Sequence, residues 1–389
     1  MLKQYFSVCL MTIFIVLTAA ITPGRVFGQE SNQPQYERAR VLEILEQTTL
    51  ATEPAKFTQV VKVQQLNDGS EHEIMVGSEF QPLTEQQVLS VGSDVIIAQQ
   101  IQADGSTSWI VADVNRLPVV IGLLVLFAIA VVLVGRWQGF FSLIGMAFSL
   151  SMLLLFVVPR ILAGQNPIWV SLSAAIAIAT VTLYLAHGFS KKTHVALLSL
   201  ITSLGLVTLV AVVAVQLAHL VGMGSEEAFF LQSGPTAMIN LRGLLLGGIL
   251  LGALGVLDDI TVAQSAVVFQ IAAAKRTISV AELFSRAMVV GRDHVASLVN
   301  TLVLAYVGAN MALFLLFYLN EQTPQWVALN SEMIVEEIIR TIAGSLGLVM
   351  AVPLTTSLAV FVAKRWPEPF KPSPKDNKKK LSDSISSST

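Results

Sequence analysis

The chain has 389 residues, of which 54% are hydrophobic and 13% charged, and its mean hydropathy is +0.69. Soluble globular domains carry about 25% charged residues, so this composition excludes that class and indicates a polytopic membrane protein. The net charge of -2 and the lack of a long basic run argue against nucleic acid as a partner. The single cysteine, Cys9, excludes a disulfide framework and a thiolate metal site. No metal or other cofactor is expected.

The N-terminal residues 1–28 have the pattern of a signal peptide or an uncleaved N-terminal anchor. Lys3 precedes an apolar run from Tyr5 to Ile21, and the small residue Gly28 ends a plausible cleavage site. In either case, the segment that follows Gly28 is expected to be exported.

Residues 29–116 have a soluble composition and a β pattern. Apolar and polar residues alternate in four short runs, and Asp68-Gly69 and Asp104-Gly105 are typical hairpin turns. This segment is predicted to form a small extracytoplasmic β-barrel or sandwich, similar to an OB-like barrel. His72, between two glutamates, fits a solvated hairpin edge better than a metal site. The four runs are 57–63, 73–76, 95–98 and 109–111.

Residues 117–363 are predicted to form the transmembrane domain. A helix that crosses the bilayer needs about 20 apolar residues, and seven segments meet this requirement after the signal segment. The seven predicted spans are Leu117–Gly135, Phe140–Val158, Ile168–Ala186, Val195–Val215, Leu241–Ala274, Val295–Leu319 and Thr341–Val362.

The basic residues predict the orientation of these spans, because cytoplasmic loops are enriched in lysine and arginine. Arg136, the Lys191-Lys192 pair, the Lys275-Arg276 pair and the Lys364-Arg365 pair follow the odd-numbered spans. Arg160 alone, then Glu226-Glu227 and then Glu321 follow the even-numbered spans. The pattern predicts a multi-pass protein of the bacterial cell membrane with its β-domain outside. Residues 364–389, with Lys378, Lys379 and Lys380, are predicted to be a disordered cytoplasmic tail.

Two adjacent carboxylates, Asp258 and Asp259, lie in the middle of the fifth predicted span. A carboxylate within a bilayer is costly unless it faces a bundle interior, a cavity or a partner, and such a residue indicates a functional site. One hypothesis is that the pair binds a coupling ion. The alternative is that Asp259 caps a helix beginning at Ile260 near the cytoplasmic boundary. A fully helical fifth span would be close to 50 Å long, so it must tilt, extend into the cytoplasm or break.

Other polar residues could line an ion path with the carboxylates. Thr261, Gln264 and Ser265 continue the polar pattern within the fifth span. In the next segment, Ser279 and Glu282 form a capping box that predicts a short interfacial helix before the span that begins at Val295. The candidates from this later part of the chain are Asp293, His294, Asn300 and Asn310.

The fifth span also contains two GxxxG pairs, Gly243/Gly247 and Gly248/Gly252. Such pairs let a neighbouring helix approach closely in a membrane. Tight helix packing is therefore expected just before the carboxylates.

Two segments, 252–262 and 291–309, resemble those of the YibE/F family of bacterial membrane proteins. The resemblance extends over roughly Tyr36 to Arg365, and it implies the architecture more than an activity. The Asp258-Asp259 helix is also similar to the proton-relay helix of resistance-nodulation-division exporters and SecDF, which would imply a proton-carrying role for both carboxylates. This chain departs from those exporters in lacking a lysine within a span and in having a small exported domain.

The function expected from these features is ion-coupled transport, of a proton or another cation, by a transporter or permease. The alternative is a non-transporting membrane scaffold or translocation and assembly factor that acts through the β-domain. An enzyme is not expected, because no serine-histidine-aspartate order, HExxH motif or phosphate-binding loop is present. The expected partners are the lipid bilayer, a small-molecule or ion substrate, and a second copy of the chain or a related membrane subunit.

Overall fold

The computed structural model describes residues 35–49, 56–78, 81–101, 107–233, 238–319 and 323–366. The chain divides into two compact units whose boundary lies between Leu133 and Val134. The predicted signal peptide or anchor with Cys9, the Asp104-Gly105 turn, Glu321 and the tail beyond Trp366 lie outside the described residues.

The first unit contains one antiparallel sheet, which confirms the β pattern of the sequence. The strands are β1 (Tyr36–Thr49), β2 (Lys56–Gln65), β3 (Glu71–Val76), β4 (Leu83–Thr84), β5 (Asp94–Ile101) and β6 (Thr107–Val114). Their order in the sheet is β3-β2-β1-β5-β6, and the short strand β4 pairs with β2. The ring of His72 on β3 lies 5.2 Å from the ring of Trp109 on β6, so the two ends of the strand order approach each other and the sheet curls into a half-barrel.

The alternation pattern does not predict the central strand, β1. It pairs with both β2 and β5, and Ala39 and Val41 are buried in the core of the sheet. Register shifts occur between Val41 and Glu43 and again between Ile44 and Glu46. Such bulges change which face the following side chains occupy, so the period-two pattern is lost along this strand.

The remaining described elements are helices, and five helical stretches are long and apolar enough to cross a membrane. The helices Val280–Ala309 and Met311–Leu319, which meet at an angle of 65°, would together make a sixth. The helices are α1 (Leu117–Met152), α2 (Val158–Leu162), α3 (Pro167–His187), α4 (Lys191–Leu217), α5 (Glu226–Ser233), α6 (Leu241–Ala274), α7 (Val280–Ala309), α8 (Met311–Leu319), α9 (Gln325–Leu329) and α10 (Glu332–Arg365).

The first two predicted spans fall within one helical stretch of 46 residues, Leu117–Leu162. A straight helix of this length would measure about 69 Å, against a hydrocarbon thickness of about 30 Å. Arg136 interrupts it with non-helical dihedral angles, φ 52° and ψ -134°. The break falls in the loop predicted between the two spans. A π-helical turn precedes Pro159, whose ring nitrogen cannot donate the usual helical hydrogen bond.

The second unit has two apolar clusters along its helices. The larger cluster packs α3, α4, α6 and α10 together through residues such as Leu200, Ile249 and Leu257. The smaller cluster includes Val268 of α6, Leu283 of α7 and Ala359 of α10. This second cluster buries the beginning of α7 against the ends of α6 and α10.

The expectation of a short interfacial helix followed by a separate span at Val295 is wrong. Residues Val280–Ala309 form one helix of 30 residues. The predicted helix start is correct, because the Ser279 side chain accepts a hydrogen bond from the Glu282 backbone N–H at 3.1 Å. The helix continues through Gly291 because the second apolar cluster holds its first turns against α6 and α10.

Two carboxylates hold the loop after α4 at one end of the bundle. Glu332 Oε1 accepts hydrogen bonds from the backbone N–H groups of Val221 at 2.7 Å, Gly222 at 2.8 Å and Met223 at 3.3 Å. Glu336 Oε1 accepts another, at 3.0 Å, from the backbone N–H of Gly224. We call this region the acidic end, defined by residues 220–227 and 332–336.

The opposite end of the bundle is basic. Lys191 Nζ donates a hydrogen bond to the carbonyl oxygen of Trp366 at 3.0 Å, and Lys364 Nζ donates to the carbonyl oxygen of Ile278. These contacts bring the start of α4, the α6–α7 connection and the end of α10 together. We call this region the basic end, defined by residues 187–192, 274–279 and 364–366.

The Glu332 carboxylate should be a main anchor of the acidic end. Glu332→Ala leaves three backbone donors without this acceptor and should lower the free energy of unfolding by about 2 kcal/mol. Glu226→Ala, at an exposed acidic residue nearby, is the matched control and should change stability little. Thermal unfolding of the purified variants measures the difference, and equal stability of the two would contradict the assigned role.

Candidate functional site

The carboxylate pair lies within an unbroken helix. Helix α6 runs from Leu241 to Ala274 without interruption, and its N-cap is Asn240, whose side chain accepts a hydrogen bond from the Gly243 backbone N–H at 2.9 Å. No helix begins at Ile260. The hypothesis that Asp259 is a helix cap is therefore wrong, and the carboxylates need another explanation.

The two carboxylates have different surroundings. Asp258 is half-buried, and its Oδ1 atom is fully buried and has no hydrogen-bond partner. Asp259 is exposed and lies within electrostatic range of His187, the last residue of α3. The pair therefore lies in the middle of α6 and near His187, where α3 ends. One carboxylate faces the bundle interior and the other faces outward.

Gln264 joins three helices. Its side chain is fully buried, and its Nε2 donates hydrogen bonds to the Ala287 carbonyl oxygen at 3.0 Å and to Thr356 Oγ1 at 2.7 Å. Gly291 of α7 lies directly against the same amide, since a Cβ atom there would come within 3.0 Å of Nε2. The Gln264 Oε1 atom has no partner. The amide therefore holds α6, α7 and α10 together and leaves one buried acceptor unused.

The predicted polar face of α6 is directed into the protein. Thr261, Gln264 and Ser265 are all fully buried. Ser265 Oγ donates a hydrogen bond to the Lys192 carbonyl oxygen at 2.9 Å, which ties α6 to the first turn of α4. Thr261 Oγ1 donates to the Asp258 carbonyl oxygen at 3.1 Å. Polar side chains on this face are thus part of the bundle interior.

The later candidate residues are not gathered around the carboxylate pair. Asp293 and Asn300 are exposed on α7, and within the described ranges no hydrogen bond or ion pair connects either of them to the pair. His294 has a buried Nδ1 atom that lacks a partner. Asn310 Nδ2 donates to the Tyr306 carbonyl oxygen at 3.0 Å and to Glu337 Oε2 at 3.2 Å, so it belongs to a different polar cluster.

This second cluster contains residues that the sequence analysis missed. Glu337 and Arg340 of α10 form an ion pair, with Arg340 Nε 3.3 Å from Glu337 Oε1. The last predicted span begins at Thr341, so Arg340 lies outside it. The sequence does carry a signal for these residues. Glu332, Glu336 and Arg340 are spaced four residues apart, with Glu337 beside Glu336, and they lead directly into the apolar run, which is the spacing of one helix face.

The two GxxxG pairs have different neighbours. A Cβ atom at Gly243 would lie 3.0 Å from Pro167 Cδ, and one at Gly247 would lie 2.5 Å from Ser171 Oγ, so this pair packs closely against α3. The second pair meets polar side-chain ends instead. A Cβ atom at Gly248 would lie 3.5 Å from Arg340 Nη1, and one at Gly252 would lie 3.4 Å from Tyr306 Oη.

Long apolar helices with polar residues buried between them define a polytopic helical membrane protein. The family model for YibE/F-like proteins matches residues 123–365, and the chain belongs to this family. The match begins within α1 and therefore does not reach the β-strands. No curated protein and no solved structure matches the chain. Among the described residues, no group of three or more histidine, cysteine, aspartate or glutamate side chains could hold a metal ion.

Gly247 and Gly255 provide a paired test of the packing. Gly247→Ala should destabilise the protein by about 1–3 kcal/mol, because its new methyl group overlaps Ser171. Gly255→Ala, on the same helix, meets no atom within 4 Å and should be neutral or stabilising. Thermal unfolding in detergent compares them, and an equal effect of both substitutions would show that α3 does not pack tightly at Gly247.

Proposed function

We propose that the protein is an ion-coupled membrane transporter in which Asp258 binds the coupling ion. The observation that carries this proposal is the buried Oδ1 atom of Asp258, which has no hydrogen-bond partner within an unbroken helix. A charged group removed from water without a partner is strongly unfavourable. Binding of a cation or a proton relieves this cost, and its release restores it.

Asp259 and His187 supply the access route in this proposal. Asp259 is exposed next to Asp258 and interacts electrostatically with His187, the last residue of α3. An ion that arrives at Asp259 needs to move only to the adjacent residue to reach the buried Oδ1 atom. The interior carboxylate is then the binding group, and the outer carboxylate is the entry group.

The proposed orientation has seven crossings in the cell membrane, with the basic end in the cytoplasm and the β-unit outside. Its support is the separation of charge along the bundle. Glu332 and Glu336 lie at one end, whereas Lys191, Lys364 and the Lys275-Arg276 pair lie at the other. Basic residues are retained on the cytoplasmic side of membrane proteins. Five of the crossings begin from the five long helical stretches. The break at Arg136 divides the first stretch into two crossings, and the bent pair α7–α8 supplies the seventh.

Cysteine labelling tests this orientation in a Cys9→Ser background. Asn67→Cys in the β2–β3 turn and Glu227→Cys at the acidic end should react with a membrane-impermeant thiol reagent in intact cells. Thr277→Cys at the basic end should react only after permeabilisation. All three positions are exposed in the structure, so differences in reactivity report sidedness. Labelling of Thr277→Cys in intact cells would reverse the orientation.

Asp258→Asn tests ion binding directly, because asparagine keeps the shape of the side chain but cannot ionise. The purified protein is reconstituted into proteoliposomes on a solid-supported membrane and exposed to Na⁺ or proton concentration jumps. The wild type should give a transient charge displacement for at least one ion, and Asp258→Asn should abolish it. This measurement needs no identified substrate, because ion binding itself moves charge.

Asp293→Asn is the matched control, because Asp293 is an exposed carboxylate on α7 and its loss should leave the displacement unchanged. A displacement of equal size in wild type and Asp258→Asn would contradict the proposal, as would the absence of any displacement in wild type. Either result would favour a non-transporting scaffold or assembly factor that acts through the β-unit. We propose no enzymatic activity for the chain.

A further inference from the structure

A groove lies on the surface of the membrane unit beside the basic end. It runs between the start of α7 and the last turns of α10, within residues 280–284 and 357–365, and has a volume of about 850 Å³. We call it the α7–α10 groove. Small-molecule sites in proteins measure about 300–1,000 Å³. The groove is therefore large enough for a ligand, and its lining indicates which kind.

The groove forms where small side chains bring the two helices together and larger ones stay outside. Ala287 of α7 and Ala359 and Ala363 of α10 are buried in the smaller apolar cluster. By contrast, Val280 of α7 is 59% exposed and Phe361 of α10 is 63% exposed. Both of these larger residues line the groove. The packing of α7 on α10 thus leaves an apolar cleft that is open at the surface of the unit.

The lining of the groove is apolar except at one end. Alanine, valine and phenylalanine side chains form its walls, and the hydroxyl of Ser357 donates to the Pro353 carbonyl oxygen of its own helix at 2.8 Å. The two charged residues in the lining, Lys364 and Arg365, are the last two residues of α10. Apolar walls with two positive charges at one end complement a molecule that has an apolar chain and an anionic head.

The two cations are able to bind an anion. Arg365 is exposed and forms no ion pair with any residue that the structure describes. The Lys364 ammonium has three donors, and the backbone carbonyl of the α6–α7 connection accepts one of them. Glu282, in the first turn of α7, is already paired with Lys275 at 3.1 Å. The basic end itself contains no aspartate or glutamate, so no carboxylate of this region competes for Lys364 and Arg365.

The sequence of α10 places the groove at the boundary of the membrane. The helix is apolar from Leu358 to Ala363, and Lys364, Arg365 and Trp366 follow directly. Tryptophan and basic residues concentrate where a helix leaves the hydrocarbon. The apolar walls are therefore at the depth of the acyl chains, and the two cations are at the depth of the lipid phosphates.

We propose that the α7–α10 groove binds an anionic phospholipid such as phosphatidylglycerol. One acyl chain lies between the two helices, and the phosphate lies at Lys364 and Arg365. Basic pockets between membrane helices are suited to anionic head groups. Inorganic phosphate could use the cations but not the walls, and phosphatidylcholine would bring a positive charge of its own to the cations. The site does not depend on the proposed ion coupling, and either can fail without the other.

Thermal unfolding of the purified full-length protein in detergent tests the site. Dioleoyl-phosphatidylglycerol, dioleoyl-phosphatidylcholine and sodium phosphate are titrated separately at constant ionic strength. A ligand that binds only the folded state raises its stability in a saturable way. We expect phosphatidylglycerol to raise Tm by about 4 °C or more and the other two to raise it clearly less.

Three results of this titration would overturn the inference. Equal rises with the two lipids would show that the head-group charge is not recognised. An equal rise with sodium phosphate would show a site for a free anion. No rise with any of the three would leave the groove to another occupant, such as a segment of protein.

Arg365→Gln and Arg276→Gln test the charged end of the groove. Both remove one exposed cation at the basic end, but only Arg365 lines the groove. Arg365→Gln should raise the half-saturating concentration of phosphatidylglycerol about fivefold, which is the effect of one basic residue near an anionic lipid surface. Arg276→Gln is the matched control and should titrate like the wild type. Equal titrations of the two variants would show a general surface attraction and overturn the inference.

Ala281→Trp and Ala273→Trp test the apolar walls. Both alanines are exposed near this end of the bundle, and only Ala281 lines the groove. The indole ring of Ala281→Trp should fill the groove and remove the rise in Tm with phosphatidylglycerol, although the two variants should unfold alike without lipid. Ala273→Trp should respond to the lipid like the wild type. A wild-type response of Ala281→Trp would place the lipid elsewhere and overturn the inference.

Discussion

The buried amide of Gln264 is the interaction on which the membrane unit depends. It donates to a backbone carbonyl of α7 and to a hydroxyl of α10 while itself belonging to α6. A buried donor without an acceptor costs about 1–3 kcal/mol, so separation of any of these helices is penalised. Gly291 makes the arrangement feasible, because any side chain at that position would displace the amide. The oxygen of the same amide accepts no hydrogen bond, so the contact between the helices is made by the amide nitrogen alone.

Local periodicity predicted the elements whose surroundings are uniform along their length. The strands β2 and β3 alternate regularly, and α6 carries an apolar pattern that reads as one helix from Leu241 to Ala274. Strand β1 was missed because two bulges change which of its side chains face the core. The continuity of α7 was missed for a tertiary reason. Its first turns are polar enough to suggest an interfacial helix, but the ends of α6 and α10 bury their apolar face.

The carboxylates were predictable from the sequence, but their partners were not. Spacing within α6 identifies Asp258, Gln264 and the four packing glycines, and it cannot tell which helix each residue faces. Gly247 meets Ser171, whereas the adjacent Gly248 meets Arg340.

The length of α6 connects the site to the asymmetry of the bundle. At 34 residues the helix is longer than α3, which ends near Asp259 at His187. Beyond that point α6 continues into the second apolar cluster, where it packs with α7 and α10. Helices α4 and α10 pack against α6 on both sides of the carboxylate pair, whereas α3 packs against it only toward the acidic end and the start of α7 only toward the basic end. Because α3 ends at this level, Asp259 is exposed beside His187, and an ion that approached from the basic end would meet Asp259 before the buried Oδ1 atom of Asp258.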